Sequence, residues 1–223
     1  YYEKKYAEWG FPSHNLSHMP NFVDLDFWHP DHIPQAQTKD SYLYFGRISR
    51  EKGLRTLLDA HAIWEDQYDQ GEIEVPPLKL LIAGSGPCEE NLKAHVALLG
   101  LKTVEILGPL NISELRQALG RARFSVLTSE WYENGPMAAL ESLAAGIPLA
   151  GTDIGGIPEM IVDGETGVIM PSRDPEGIFK GLLKAASLPK SANLAARRWA
   201  EKNASRQDHM ARLEALLIKL ADG

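Results

Sequence analysis

From Ser41 onward the chain alternates between two hydrophobic patterns. The first is a set of short apolar runs: Tyr42-Leu43-Tyr44-Phe45, Leu78-Lys79-Leu80-Leu81-Ile82, Val104-Glu105-Ile106-Leu107, Phe124-Ser125-Val126-Leu127, Pro148-Leu149-Ala150 and Gly167-Val168-Ile169. Runs this short and this apolar suit parallel strands covered on both faces. The second is a helical period, clearest at Leu54, Leu57, Leu58, His61 and Ala62, which follow one face of a helix. The same spacing predicts helices over about 88–99, 113–120, 136–145, 156–162 and 175–186. Strand and helix in strict alternation predict an α/β fold, a doubly wound Rossmann-like parallel sheet. Ser191 to Leu220 is rich in Ala, Leu and Arg and is followed by no strand. It is expected to be helical and to lie outside the sheet.

The first forty residues lack either period. Tyr1 to Trp9 fits the end of a helix closed by Gly10 and Pro12, and Pro12, Pro20, Pro30 and Pro34 then break regular structure. The segment reads as a linker arriving from something upstream. The expected division is therefore 1–40 as tail and linker, 41–190 as the Rossmann-like domain, and 191–223 as a C-terminal helical segment.

Composition narrows the function. The chain has 223 residues, 44% apolar and 24% charged, ordinary for a globular protein able to build a full core. Lys and Arg number 23 against 30 Asp and Glu, a formal net charge of -7, which argues against a nucleic-acid partner. The single cysteine, Cys88, leaves no internal disulfide framework and no multi-Cys zinc site. No apolar run reaches the ~18 residues of a membrane span. The opening Tyr1-Tyr2-Glu3-Lys4-Lys5 has no apolar core of a signal peptide, so a cytoplasmic setting is the default expectation.

In such a sheet ligands sit at the carboxyl ends of the strands. The first strand leads into Gly46-Arg47-Ile48-Ser49-Arg50-Glu51-Lys52-Gly53. Gly46 allows the backbone close to a ligand, and Arg47 and Lys52 set two cations beside a helix start, as a phosphate site requires. A solvated charged turn fits the same residues. The second strand ends in Ala83-Gly84-Ser85-Gly86-Pro87, where Gly84 suits either a nucleotide contact or a plain tight turn. After the third strand, Gly108-Pro109-Leu110-Asn111 could offer backbone groups to a base, or be a turn with Ser113 as the helix cap.

The densest chemistry lies in Glu130-Trp131-Tyr132-Glu133-Asn134-Gly135-Pro136-Met137-Ala138-Ala139-Leu140-Glu141. Pro136 suits the first helical position, and Asn134 or Gly135 the cap. Glu133 and Glu141 then bracket a helix N-terminus, about 10 Å apart along its axis. Each carboxylate can accept hydrogen bonds from sugar hydroxyls. Glu133 is equally explained as an acid favoured by the helix dipole. Glu141 sits among Ala138, Ala139, Leu140, Leu143 and Ala144, where a carboxylate is expected to have a partner. Three features are set aside. Asp24-Leu25-Asp26 is a metal-type D-x-D, but in the Pro-rich linker; His61 on an apolar helix face fits a hydrogen-bonded core histidine; and His29 and His32 have no third ligand in view.

Taken in order, these pieces resemble the retaining glycosyltransferases of the GT-B fold, specifically the large group 1 (GT4) family. The matching stretches are Pro20-Asn21-Phe22-Val23-Asp24, Phe45-Gly46-Arg47 with Lys52-Gly53, Leu81-Ile82-Ala83-Gly84-Ser85-Gly86-Pro87, and Gly108-Pro109-Leu110. They continue with Glu133 and Glu141, Ala145-Gly146-Ile147-Pro148, Gly155-Gly156-Ile157-Pro158-Glu159, and Asp163-Gly164-Glu165-Thr166-Gly167. The resemblance implies two Rossmann-like halves with the active site between them, of which this chain looks like the second, donor-binding half. By that resemblance Arg47 and Lys52 hold the donor diphosphate, Glu133 contacts the transferred sugar, and Glu141 the ribose. Backbone amides from Asn134 to Ala138, Gly135 and Met137 among them and Pro136 excepted, join the phosphate site. Backbone around Pro109 and Leu110 meets the base. The implied reaction transfers a sugar from a UDP-, GDP- or ADP-sugar with retention and without a bound metal. The acceptor, a sugar or glycolipid, and any peripheral membrane contact belong to the other half. Departures from the family pattern are Asn134-Gly135 in place of Phe-Gly, Ser142 in place of Ala and Phe22 in place of Gly. An epimerase or phosphorylase of the same fold, or a non-catalytic nucleotide-binding module, remains open. A dinucleotide dehydrogenase does not, because no G-x-G-x-x-G follows the first strand.

Overall fold

In the computed structural model, which describes residues 1–221, the apolar runs form one six-stranded parallel sheet in the order β3-β2-β1-β4-β5-β6. The strands are β1 (Ser41–Phe45), β2 (Lys79–Ala83), β3 (Val104–Gly108), β4 (Ala122–Leu127), β5 (Leu149–Thr152) and β6 (Gly167–Met170). The helices are α1 (Tyr2–Glu8), α2 (Leu54–Asp69), α3 (Glu89–Leu99), α4 (Ile112–Arg121), α5 (Met137–Ala144), α6 (Pro175–Ala186), α7 (Ser191–Asn203) and α8 (Arg206–Ala221). Asp222 and Gly223, the end of the expected C-terminal segment, lie outside the described residues. Among the described residues no helix is long and apolar enough to cross a membrane.

Alternation along the central strands feeds two cores. On β1, Leu43 and Phe45 join the cluster beneath α4, α5 and α7, while Tyr42 and Tyr44 join the cluster beneath α2, α3 and α6. β2 divides likewise, Leu81 and Ala83 against Leu80 and Ile82. Between β1 and β4 the register slips by one residue, Ser41 facing Ala122 and Leu43 facing Ser125. Such a bulge turns the residues beyond it onto the other face. Ala122 therefore joins the first cluster, whereas Phe124 and Val126 join the second.

Four expected boundaries shift, each for a local reason. α4 is capped by Asn111, not Ser113. The Asn111 side chain accepts from the Glu114 N–H at 3.0 Å and the Glu114 carboxylate accepts from the Asn111 N–H at 2.8 Å, a capping box. Pro136 precedes α5 rather than opening it, because its ψ of 127° is extended, and Met137 is the first helical residue. The helix expected over 156–162 is a four-residue 3₁₀ helix, Ile157–Met160. Ile161 is already extended, and the Val162 N–H is taken by the Thr166 hydroxyl at 2.8 Å for the turn into β6. The single terminal helix is two helices, broken where the Val23 N–H captures the Ala204 carbonyl at 3.0 Å. Val23, Trp28 and Ile33 are buried in the same cluster as Ala196, Ala200 and Ala204, so the packed core extends beyond residues 41 and 190 on both sides.

Candidate functional site

The strand order reverses between β1 and β4, and the helices that follow those two strands, α2 and α5, lie on opposite faces of the sheet. A crevice at the carboxyl ends is the consequence. The loop after β1 lies on the loop after β2: the Gly46 N–H donates to the Ala83 carbonyl at 3.0 Å and the Ile48 N–H to the Ser85 carbonyl at 2.9 Å. Gly84, at φ 138°, is the contact point, because a Cβ there would fall 1.9 Å from the Gly46 oxygen. The Tyr44 hydroxyl donates to the Arg47 carbonyl at 2.7 Å and fixes that turn from below. Arg47 is exposed at its tip.

Gly53, at φ 65°, ends the β1 loop against the loop after β4; a Cβ there would lie 2.0 Å from the Thr128 carbonyl oxygen. The Thr128 hydroxyl donates to the Lys52 carbonyl at 3.2 Å. Backbone this close brings Lys52 to Glu133, and the ammonium donates to Glu133 Oε1 at 2.5 Å. The buried Ser129 hydroxyl donates to the same oxygen. The hydrogen bonds and ion pair found for Glu133 among the described residues engage Oε1 only, leaving Oε2 without one. The loop after β5 closes the far side, with the Gly156 N–H donating to the Glu133 carbonyl at 2.8 Å.

α5 begins just beyond, with no side-chain cap among the described residues. Ala139, Leu140 and Leu143 are buried on one face, while Met137 is exposed and Ala138 and Glu141 are half-buried on the other. The Asn21 amide holds the approach to the helix, donating to the Gly135 carbonyl at 2.7 Å and lying 3.5 Å from that of Asn134. Among the described residues Glu141 does not have the partner expected of it. Burial without a compensating donor pushes its carboxyl up to about 7. Pro109 and Leu110 stand at the end of β3, two strands from β1 or roughly 10 Å along the sheet edge.

Contacts between loops thus join, at one end of the sheet, the β1 loop that carries Gly46, Arg47 and Lys52 to Gly84 and to Glu133, with Asn134, Gly135, Met137, Ala138 and Glu141 following on the β4 side and Pro109 and Leu110 at the end of β3. It adds Ser129, Asn21, Thr56, Glu130 and Arg173, to which the sequence assigns no role. A buried serine at a strand end is a weak signal for the first. No local signal marks the last, which lies forty residues from the loop it touches. Asp24 is used locally, its carboxylate accepting the Phe27 N–H at 2.8 Å. His61 is buried between the Tyr42 hydroxyl at 2.8 Å and the Thr103 hydroxyl at 2.7 Å, a core histidine as its helix face implies.

The family model described as "Glycosyl transferases group 1" matches residues 29–206. The chain is 33% identical over 159 residues to a glycogen synthase of Mycobacterium tuberculosis, covering 70% of this chain and 36% of the relative. It is 26% identical to a GDP-mannose-dependent alpha-(1-6)-phosphatidylinositol monomannoside mannosyltransferase of Mycolicibacterium smegmatis, covering 97% of this chain and 60% of the relative. Among solved structures, Anabaena HepE in complex with UDP superposes with a TM-score of 0.81 at 17% identity, over 97% of this chain and 61% of that one. Sucrose-phosphate synthase from Thermosynechococcus elongatus gives 0.80 at 20% identity, over 99% and 56%. The chain therefore spans between about a third and three fifths of the length of these relatives.

Proposed function

The chain belongs to the group 1 glycosyltransferase family, and from that premise we propose that it is the donor-binding half of an enzyme that moves a sugar from a nucleoside diphosphate to an acceptor. The observation that carries this reading is the Lys52–Glu133 pair at the point where the strand order reverses, with Arg47 and the uncapped start of α5 beside it. Cations and helix amides favour a diphosphate at that point. The free oxygen of Glu133 would accept from a hydroxyl of the transferred sugar, and Glu141 from the ribose. The base would extend toward Pro109 and Leu110. UDP bound in the Anabaena relative supports a nucleotide on this fold.

In the reaction the bond from the anomeric carbon to the phosphate oxygen breaks, and its electron pair leaves with the diphosphate. Arg47, Lys52 and the α5 amides stabilise that developing charge, which is electrostatic catalysis with no metal needed. The acceptor hydroxyl oxygen forms the new bond to the anomeric carbon on the face the diphosphate leaves, its proton passing to the departing phosphate oxygen on that face, so configuration is retained. The acceptor is held by a further Rossmann-like half, with the chain before Val23 leading from it and α8, which buries no residue in this chain, packing back on it.

Calorimetry of the chain with UDP, GDP and ADP, each beside its nucleoside and in EDTA, tests this. Binding of at least one diphosphate, much tighter than its nucleoside and unaffected by EDTA, is expected. No binding of any of the three would overturn the reading. A strict Mg or Mn requirement lost in Asp24→Ala would overturn the metal-independent mechanism.

A further inference from the structure

The loop after β4 carries Ser129 and Glu133, and its position relative to Lys52 determines whether the pair exists. Two elements outside the motifs grip that loop from opposite sides. On the β1 side the Glu130 N–H donates to the Glu51 carbonyl at 2.8 Å, and the Thr56 hydroxyl donates to the Glu130 carboxylate at 2.5 Å. On the β6 side the Arg173 guanidinium donates to the Glu130 carbonyl at 2.9 Å, with its Nε 3.6 Å from the Glu130 carboxylate. The neighbouring Ser172 reinforces this, its N–H donating to Asp153 at 2.9 Å and its hydroxyl to the Ser129 carbonyl at 3.4 Å. Arg173 is the one non-glycine residue with positive φ among the described residues, at 59°. A long side chain held in that region stores backbone strain that the surrounding contacts must maintain.

We infer that Glu130 and Arg173 are positioning residues that clamp the β4 loop between the β1 and β6 loops and so set the Lys52–Glu133 geometry on which donor binding depends. The inference rests on the donor-site reading above. The exposed ion pair between them adds little by itself, since Arg173 is 66% exposed. The device is the bond from the guanidinium to the Glu130 carbonyl, which orders the backbone three residues before Glu133. Neither residue touches the donor in this assignment.

The strain at Arg173 separates positioning from plain stability. Arg173→Gly relieves the strain, because glycine adopts positive φ freely, and removes the clamp at the same time. The variants Arg173→Gly, Arg173→Lys and Glu130→Ala are compared with wild type, each as the full chain. Melting temperature, amide hydrogen exchange of residues 129–134 without ligand, and affinity for UDP, GDP and ADP are measured. Arg173→Gly should melt no lower than wild type, exchange faster at residues 129–134, and bind the preferred diphosphate about five- to tenfold more weakly, as the loss of one net hydrogen bond predicts. Glu130→Ala keeps the backbone carbonyl that Arg173 holds but loses the Thr56 bond on the β1 side, so it should lower affinity less than Arg173→Gly, and Arg173→Lys should retain most of it. Wild-type binding with unchanged affinity and exchange in Arg173→Gly and Glu130→Ala overturns the clamp alone. A wild type that binds none of the three diphosphates overturns the donor-site reading, and the clamp's role in donor binding falls with it.

Discussion

Glu141 is a carboxylate that folding disfavours. An unfolded glutamate releases its proton near 4.5, whereas burial holds the folded Glu141 proton to about 7. The unfolded state therefore gains relative to the folded one as pH rises between those values, and stability falls across that window. Glu141→Gln cannot ionise. It should match the wild-type melting temperature at pH 4.5 and exceed it at pH 8 when no nucleotide is present. An identical offset at both pH values would show that the carboxylate is not desolvated. Strain of this kind is common where a ligand is meant to supply the missing donors. Lys52 differs because its partner is already in place, so Lys52→Ala removes a cation and leaves Glu133 with Ser129 alone. Arg47 is exposed, and no such bond from its side chain is found among the described residues. Either Arg47→Ala or Lys52→Ala should weaken nucleoside diphosphate binding roughly tenfold to a hundredfold, as charged hydrogen bonds predict. Nucleoside affinity should hardly move. Calorimetry with both ligands reads the difference, and equal losses for the two would count against a diphosphate role.

The loops are held by backbone contacts that tolerate no side chain. Gly84 meets Gly46, and Gly53 meets Thr128. In each case the obstacle is a carbonyl oxygen rather than the tip of a flexible side chain, so relief requires moving a strand end. Gly84→Ala should destabilise the protein by on the order of 1–3 kcal/mol, through the positive φ and the clash together. Because the Gly46 turn is what yields, the same variant should also reduce diphosphate affinity. Urea unfolding gives the first effect and calorimetry the second. A variant of wild-type stability would mean that the two loops are not packed as described. The helices were easier to anticipate than their ends. The apolar period of α2 and α6 is visible in the chain because it repeats every turn. The cap of α4 could have been read from Asn111 and Glu114, whose spacing is that of a capping box. The break between α7 and α8 could not, because it is imposed by Val23, far away in the chain.

A donor held in one crevice is half of a transfer reaction. Holding donor and acceptor in one geometry contributes up to about 7–11 kcal/mol of the barrier reduction. This chain covers 60% of the mannosyltransferase relative and 36% of the glycogen synthase. The 223-residue chain should therefore bind its nucleotide yet transfer no sugar at a meaningful rate, and joining it to an N-terminal half of ~150–200 residues, a common domain size, should restore transfer. Product analysis of both forms with the bound nucleotide-sugar is the test. Sustained turnover by the shorter form would refute the division of labour.

Six strands, their order along the chain and all but one of the helices between them were legible in the amino-acid sequence, because apolar period and turn glycines act over a few neighbouring residues. The ordered motifs likewise identified the family, since each is a local solution to bringing backbone near a ligand. The partnerships inside the site were not legible. Lys52 and Glu133 are 81 residues apart, and Arg173 reaches Glu130 across 43. Val23 breaks a helix near residue 204. Those pairings follow from strand order, from the slip of register between β1 and β4, and from the approach of one loop's backbone to another. They are set by how the sheet is assembled, and no window along the chain contains both members of any of them.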